Sequence, residues 1–506
     1  MSLLNYIIKK NISSYLGQIG KIKRRSISLQ NQLFKSLIST GTNTKWGKKY
    51  NYRNIKNYKD FCENVPLSTY DDLKPYIDRM IHGESNVLWP GFIKWFSKSS
   101  GTTTDRSKFI PISNCSLHDC HLKGSLYVLS HYAKLFPKTK LFEGKALILG
   151  GSKRKTEFNS KAQYGDLSAI LIQNTPLWAE IFRTPSKSIA LMDNWEEKID
   201  KIAEYTMNQN ITSISGVPSW MLIFLKRVLK LKGAKDIKEV WPNLELFMHG
   251  GVNFDPYVDQ FNEIIKPGSV FYMDIYNASE GFFAFQDRKT SKEMMLVTNN
   301  GIFYEFIPMD ELHKPNPKII SLKNVNMNTN YALVISTNAG LWRYIIGDTV
   351  QFTCLYPYRI KITGRTSNFI NAFGEELIVE NAEKAISEAS RITGAKVNEY
   401  TAGPVYLSNH VKAAHEWLIE FEKMPHNLDI FVEMLDETLK KVNSDYDAKR
   451  SKDLLLQKPI VRVLPEGTFF QWLKNKGKLG GQNKVSRLSN NRKIIEEILS
   501  ISETKL

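Results

Sequence analysis

Apolar and polar positions follow three different rhythms along this chain. From the start to about Pro90 the apolar ones recur at helical spacing, as in Ser26 to Ile38, and Pro66 to Tyr70 predicts a helix start capped by Ser68 or Thr69. From Lys145 the rhythm becomes α/β. Ala146 to Leu149, before Gly150 and Gly151, and Ile211 to Ile214 predict short buried strands. Ser215 to Pro218 opens a helix whose apolar side is Trp220, Leu222, Ile223, Leu225 and Leu229 and whose end is Gly233. Leu244 to Met248, followed by His249, Gly250 and Gly251, repeats the strand-then-glycine theme. Between Val270 and Phe352 short β-prone runs predict a sheet or barrel: Phe271–Tyr276, Gly281–Phe285, Met294–Val297, Ile302–Ile307, Tyr331–Ser336 and Leu341–Ile346. Beyond Gly364 come a helix over Val379–Ile392, strands near Tyr400–Tyr406 and Glu416–Glu422, a helix over Asn427–Val442 and a strand at Ile460–Val463.

The fold class that follows is α/β. A large N-terminal domain, residues 1–366, would hold mixed sheets and a β-barrel-like part flanked by helices, and residues 367–506 a small α+β C-terminal domain. A hinge is placed at about Arg365 to Gly374. A chain of 506 residues exceeds what a single core supports, so more than one domain is expected. No internal repeat is visible.

Composition narrows the function classes. The chain is 42% hydrophobic and 24% charged, which suits a soluble globular protein, and no apolar run approaches the roughly 18 residues of a membrane span. Met1 to Lys10 carries its positive charges after its apolar stretch and no small-residue cleavage site, so a cytoplasmic location without a secretory signal is expected. The formal charge of +18 raises a nucleic-acid hypothesis, but the excess is scattered and no basic run exceeds Lys21 to Arg25. Affinity for anions such as a nucleotide is what it supports, and neither nucleic acid nor membrane is an expected partner. Four cysteines without a CxxC pair suit a reducing compartment. Cys115, His118 and His121 would share a helix face, but Cys120 points elsewhere and no second ligand pair appears, so zinc is not expected.

Four clusters carry candidate chemistry. Ser99, Ser100, Gly101, Thr102, Thr103 and Thr104, with Lys108 downstream, concentrate hydroxyls and freely oriented N–H groups as a polyphosphate requires, without the second glycine of a Walker A loop. Tyr276, Asn277, Ala278, Ser279 and Glu280 end a strand with an aromatic face for adenine and a carboxylate for Mg²⁺. Trp342 to Asp348 ends in Gly347-Asp348, where the aspartate can accept from a ribose diol and Arg343 can meet a phosphate or a substrate carboxylate. Near the C-terminus, glycines in Lys478 to Arg487 permit a loop delivering Lys484 to a phosphate oxyanion. Singly, each is as readily an ordinary turn. Val217, Trp220 and Met248 are candidate acyl contacts suiting an aromatic or alicyclic acid, and core packing accounts for the same residues about as well.

Together and in this order, with Leu88 to Gly91 ahead of the first, these clusters resemble the Gretchen Hagen family of acyl-acid amido synthetases, the auxin-conjugating type known from plants with bacterial-type members. The resemblance implies an adenylate-forming architecture and an enzyme that uses ATP and Mg²⁺ to convert a small carboxylic acid to an acyl-adenylate and then to an amide with an amino acid. It implies that the Ser99–Thr104 loop holds phosphates, that Tyr276 to Ser279 pack adenine, that Glu280 lies at Mg²⁺, that Asp348 takes ribose and that Lys484 enters from a mobile C-terminal domain. Gly250, Gly251 and Arg365 complete the candidate nucleotide contacts, and Lys484, Arg343 and Glu280 the candidate catalytic ones. Two departures stand out: no lysine lies within Phe369 to Glu376, where plant members carry one, and no proline sits near Ser486. An acyl-CoA ligase with a thiol acceptor and a catalytically silent nucleotide-binding protein remain open alternatives, and no residue is singled out as the base for amide formation. The acid, the amine and the oligomeric state are not legible.

Overall fold

The computed structural model describes residues 3–99, 108–151, 153–154, 162–251, 254–312, 314–366, 369–370, 375, 377–405, 413–450, 456–477 and 484–503. Its centre is a twelve-stranded sheet running, from one edge to the other, Ile320–Ser321, Ile302–Pro308, Asn330–Thr337, Tyr344–Leu355, Tyr358–Arg365, Met294–Leu296, Gly281–Gln286, Phe271–Ala278, Leu246–His249, Ile211–Gly216, Lys145–Ile148 and Arg183–Thr184. The part expected to be barrel-like does not close on itself among the described residues but continues into the α/β part as one sheet. The joint is strand Phe271–Ala278. Its first half pairs parallel with Leu246–His249, its second half antiparallel with Gly281–Gln286.

Period-2 and period-3.6 patterning account for the layers around the sheet. Helix Ser14–Gly41 buries Ile19, Ile22, Phe34, Leu37 and Ile38 against the antiparallel half. Helices Trp195–Thr206 and Pro218–Lys232 cover the parallel half, the second starting at Pro218 and closing on left-handed Gly233 as its sequence predicts. At Tyr70–Ile81 the cap is Thr69, whose amide donates to Asp72 Oδ2 (2.8 Å) in a capping box. Ser68 instead exchanges backbone hydrogen bonds with Arg343 and Ile345.

Strands Lys396–Val405, Ala414–Lys423 and Ile460–Leu464 form a separate sheet. Alternate residues of its central strand face opposite sides: Trp417, Ile419 and Phe421 pack with helices Val379–Thr393 and Leu428–Val442, and Leu418 with Thr468–Asn475 and Lys493–Glu503. One strand differs from expectation. The predicted Leu341–Ile346 begins only at Tyr344, because Arg343 takes a positive φ (44°), and it runs on to Leu355.

Candidate active site

The parallel strands end at a cavity of ≈ 1590 Å³, the crevice where open α/β sheets place ligands. Strand Phe271–Ala278 delivers Asp274, Tyr276, Asn277 and Ala278 to its wall, with Ser279 and Glu280 in the following turn. From the antiparallel half come Asp348 and Arg365, directly opposite each other across two strands. Lys108 closes a hairpin with Ser99, and Lys484 arrives from the C-terminal module. Ser100 to Thr104, with Gln482 and Asn483, lie outside the described residues. Their flanks do not: Ser97 Oγ, on the hairpin, donates to Ser279 Oγ (2.8 Å), which ties the strand leading into the hydroxyl-rich segment to the strand end carrying Glu280.

A charged chain links these groups. Tyr276 donates its hydroxyl to Asp348 Oδ2 (2.5 Å), and Arg365 Nε lies 3.1 Å from Asp348 Oδ1. Each carboxylate oxygen keeps a lone pair for a further donor. Burial and the neighbouring Asp348 push the Glu280 carboxyl up to about 7, against the opposing pull of Arg365 and Lys108. Burial likewise lowers Lys108, which the Glu280 charge partly offsets. Burial, with Arg365 adding repulsion, brings Lys484 down to about 8. Its Nζ donates to the carbonyl of Gly251. Gly250 must be glycine, since a Cβ there would meet Ile275 O at 2.2 Å.

Two wall residues carry chemistry that sequence reasoning passed over. His249 and Asp274 are paired in register on adjacent strands, Nδ1 3.7 Å from Oδ1, with the imidazole stacked on Phe254 (4.3 Å). Burial, with Lys292 adding repulsion, lowers His249 to about 3, while burial and Asp255 raise Asp274 to about 7. Their separation of twenty-five positions leaves no local motif.

Two expected site residues are placed elsewhere. Arg343 is buried, with its guanidinium on Glu305 (2.9 Å) and on the carbonyls of Val65 (2.7 Å) and Cys62 (3.2 Å), so it has no donor facing the cavity. Arg343→Met is expected to lower stability by about 3–5 kcal/mol by stranding the buried Glu305 carboxylate, read as a lower urea midpoint. Trp220 packs edge-on against Trp195 (4.8 Å) in the core, whereas Val217 and Met248 do line the cavity. Among the described residues no group of three His, Cys, Asp or Glu is placed to hold a metal, and buried His121 instead bonds Asn277 Oδ1 (3.0 Å).

The C-terminal module meets the large domain through polar contacts and through Phe470, which packs against the core of the parallel half, and Gln260 donates to the carbonyl of Val397 in a buried hydrogen bond (3.2 Å). Lys226 pairs with Glu422 (2.7 Å), Lys474 with Glu196 (3.2 Å), and Arg487 donates to the Tyr257 hydroxyl (3.1 Å), three residues from Lys484.

This architecture is shared with acyl-acid and acyl-CoA ligases of known structure. It is similar to the solved structure of GH3.15 acyl acid amido synthetase, with TM-score 0.79 and 16% identity over 97% of this chain and 96% of that one. A 2-hydroxyisobutyryl-CoA ligase in the postadenylation state follows at TM-score 0.62 and 12% identity, covering 95% and 92%. The chain belongs to the GH3 family: residues 15–269 match the GH3 family N-terminal domain, 295–365 the central domain and 380–493 the C-terminal domain. Among its relatives are an indole-3-acetic acid-amido synthetase of Arabidopsis thaliana, 23% identical over 89% of this chain and 87% of that protein, and a 4-substituted benzoates-glutamate ligase of the same plant, 24% identical over 93% and 94%.

Proposed function

We propose that this protein joins a carboxylic acid to the amine of an amino acid by way of an acyl-adenylate, with ATP as co-substrate. The observation that carries the reading is the convergence of Lys108, Tyr276, Glu280, Asp348, Arg365 and Lys484 on one cavity from four separate stretches of chain. A carboxylate is a poor acyl donor because oxide is a poor leaving group. Attack of its oxygen on the α-phosphorus, with loss of pyrophosphate, makes AMP the leaving group, and attack of the amine on the carbonyl then releases AMP and a proton.

Each wall residue has a part. Asp348, held by Tyr276 and Arg365, accepts from the ribose hydroxyls. Tyr276 presents the apolar wall for adenine, with Gly250 on the cavity wall beside it. Asp274, at the same strand, is an acceptor for the adenine amino group. Lys108 and the hydroxyl-rich segment it follows bind phosphates, and Lys484 meets the charge that develops at the α-phosphate. The donor set suits Mg²⁺: the Glu280 carboxylate, to be completed by phosphate oxygens and water rather than by an all-protein cage. Bound there by Glu280, the ion would neutralise phosphate charge.

Residues 367–506 act as the mobile body. The exposed ion pairs that join them to the large domain, Lys226–Glu422 and Lys474–Glu196, are each worth little and add only a small cost to rotation between the two half-reactions.

Lys484 must be charged to act, so kcat/KM for pyrophosphate exchange is expected to fall as pH rises through about 8. In Lys484→Arg, which keeps its charge, that limb disappears.

Mass spectrometry of products formed from acid, ATP and either an amino acid mixture or coenzyme A tests the acceptor. An amide is expected. A thioester formed in preference would replace the amine by a thiol and leave the adenylation step standing.

A further inference from the structure

The cavity extends well beyond the nucleotide wall. Helix Lys123–Leu135 packs at the junction of the sheet's two halves, with Gly124 against Phe282, the Tyr132 ring against Phe271 and the Tyr132 hydroxyl donating to the carbonyl of Glu245 (3.3 Å). Leu122 just before it, with Leu126 and Leu129 on one of its faces, all remain partly accessible. So do Ala146, Ile148, Ser215 and Met248 on the parallel strands, which lie side by side in register, Ile148 with Ser215 and Ser215 with Met248. Both sets of residues line an apolar lane inside the domain.

The lane has two distinct ends. At one, Met248 leads through His249 to Gly250, which lies against Ile275 on the strand that carries the nucleotide wall. At the other, the wall is formed by Thr175, Pro176 and Trp178, on a turn whose Leu177 is 90% exposed and whose Trp178 and Ile181 are about half exposed. Between them the wall crosses five consecutive strands, from Phe271–Ala278 to Arg183–Thr184; four strand spacings make about 19 Å. Arg183, at the far end, pairs with Glu180 (2.5 Å) and donates to Pro185 O (2.5 Å), so its charge is already compensated and does not call for a second ionised group on the ligand.

We propose that the acid this protein activates is an elongated aliphatic monocarboxylic acid, with its carboxylate at the adenylate site and its chain extended along this lane. The inference rests on the reading of the site as an adenylating centre. A compact ring acid at the Met248 end would leave most of the lane without partner atoms, and each wall contact left unmade is dispersion energy lost. A chain one side chain thick fills the space that Ala146, Ser213 and Ser215 leave by being small, and the exposed apolar turn at the far end gives it a way in.

The test is acid-dependent exchange of labelled pyrophosphate into ATP by the wild-type protein, with the straight-chain acids from butanoic to hexadecanoic and with benzoic and indole-3-acetic acids. The expected result is a kcat/KM that rises about fourfold for each added methylene until the lane is full. Ala146→Leu is expected to move the break to shorter acids. Highest kcat/KM with the ring acids, or a flat or falling response to chain length, overturns the inference and leaves the adenylating centre intact. Exchange with none of the acids would instead overturn the reading of the centre, and this inference with it.

Discussion

Lys484→Ala is expected to slow acid-dependent pyrophosphate exchange by about 10²–10³ while changing nucleotide affinity only a few-fold. The reason is geometric. Lys484 stands on the C-terminal module, and its ammonium reaches the cavity where the carbonyl of Gly251 holds it. Asp348, Tyr276, Lys108 and Arg365, the proposed nucleotide contacts, all lie within residues 1–366 and would bind the nucleotide without it. A cation brought to the phosphates by the movable domain contributes most where charge builds up, in the transition state. Equal loss of ATP affinity and of turnover would assign Lys484 to ground-state binding instead. Gly251 supplies a check: it has positive φ (85°), and a Cβ there would stand 3.0 Å from Lys484 Nζ, so Gly251→Ala should impair the same step by disturbing the seat of the ammonium.

The second large effect is at Glu280. Glu280→Gln removes the carboxylate while keeping its shape, and exchange is expected to fall by roughly 10²–10⁴, the several kcal/mol that metal-assisted charge neutralisation supplies. Stability should move the other way. Because the folded protein holds this carboxyl up to about 7 from an ordinary 4.5, it binds the proton more tightly than the unfolded chain does. The sign is therefore negative: as pH rises from about 4.5 through 7, Glu280 subtracts stability, and above 7 the full penalty is present. Glutamine carries no such penalty. At pH 8 without nucleotide the variant should melt at or above the wild-type temperature and yet be nearly inactive. A variant that is both inactive and less stable would show that Glu280 holds the fold together rather than serving the reaction.

Much of this site was readable because its pieces are local. A strand that ends in Tyr276 to Glu280, the Gly347-Asp348 pair and a glycine-bounded Lys484 each declare themselves over a few residues, although the strand expected to finish at Asp348 runs on to Leu355. What escaped depends on contacts remote in sequence. Arg343 looked available because its neighbours are a strand and a Gly-Asp turn; its partner Glu305 lies on another strand, and nothing near Arg343 announces it. Trp220 follows closely on Val217, which lines the cavity, but its own side faces helix Trp195–Thr206, a direction set by packing rather than by pattern. The His249–Asp274 pair exists only once two strands align in register. The lane was hidden for the same reason: small residues at 146, 213 and 215 look unremarkable until the fold sets them on one cavity wall.

The central claim is that these separate stretches make one centre that adenylates an acid. Labelled pyrophosphate incubated with ATP, Mg²⁺ and a panel of carboxylic acids tests it most directly. The account predicts label entering ATP only when an acid is present, and disappearance of that signal in Glu280→Gln. Exchange that proceeds equally without acid, or none with any acid from a folded protein that binds ATP, would contradict it.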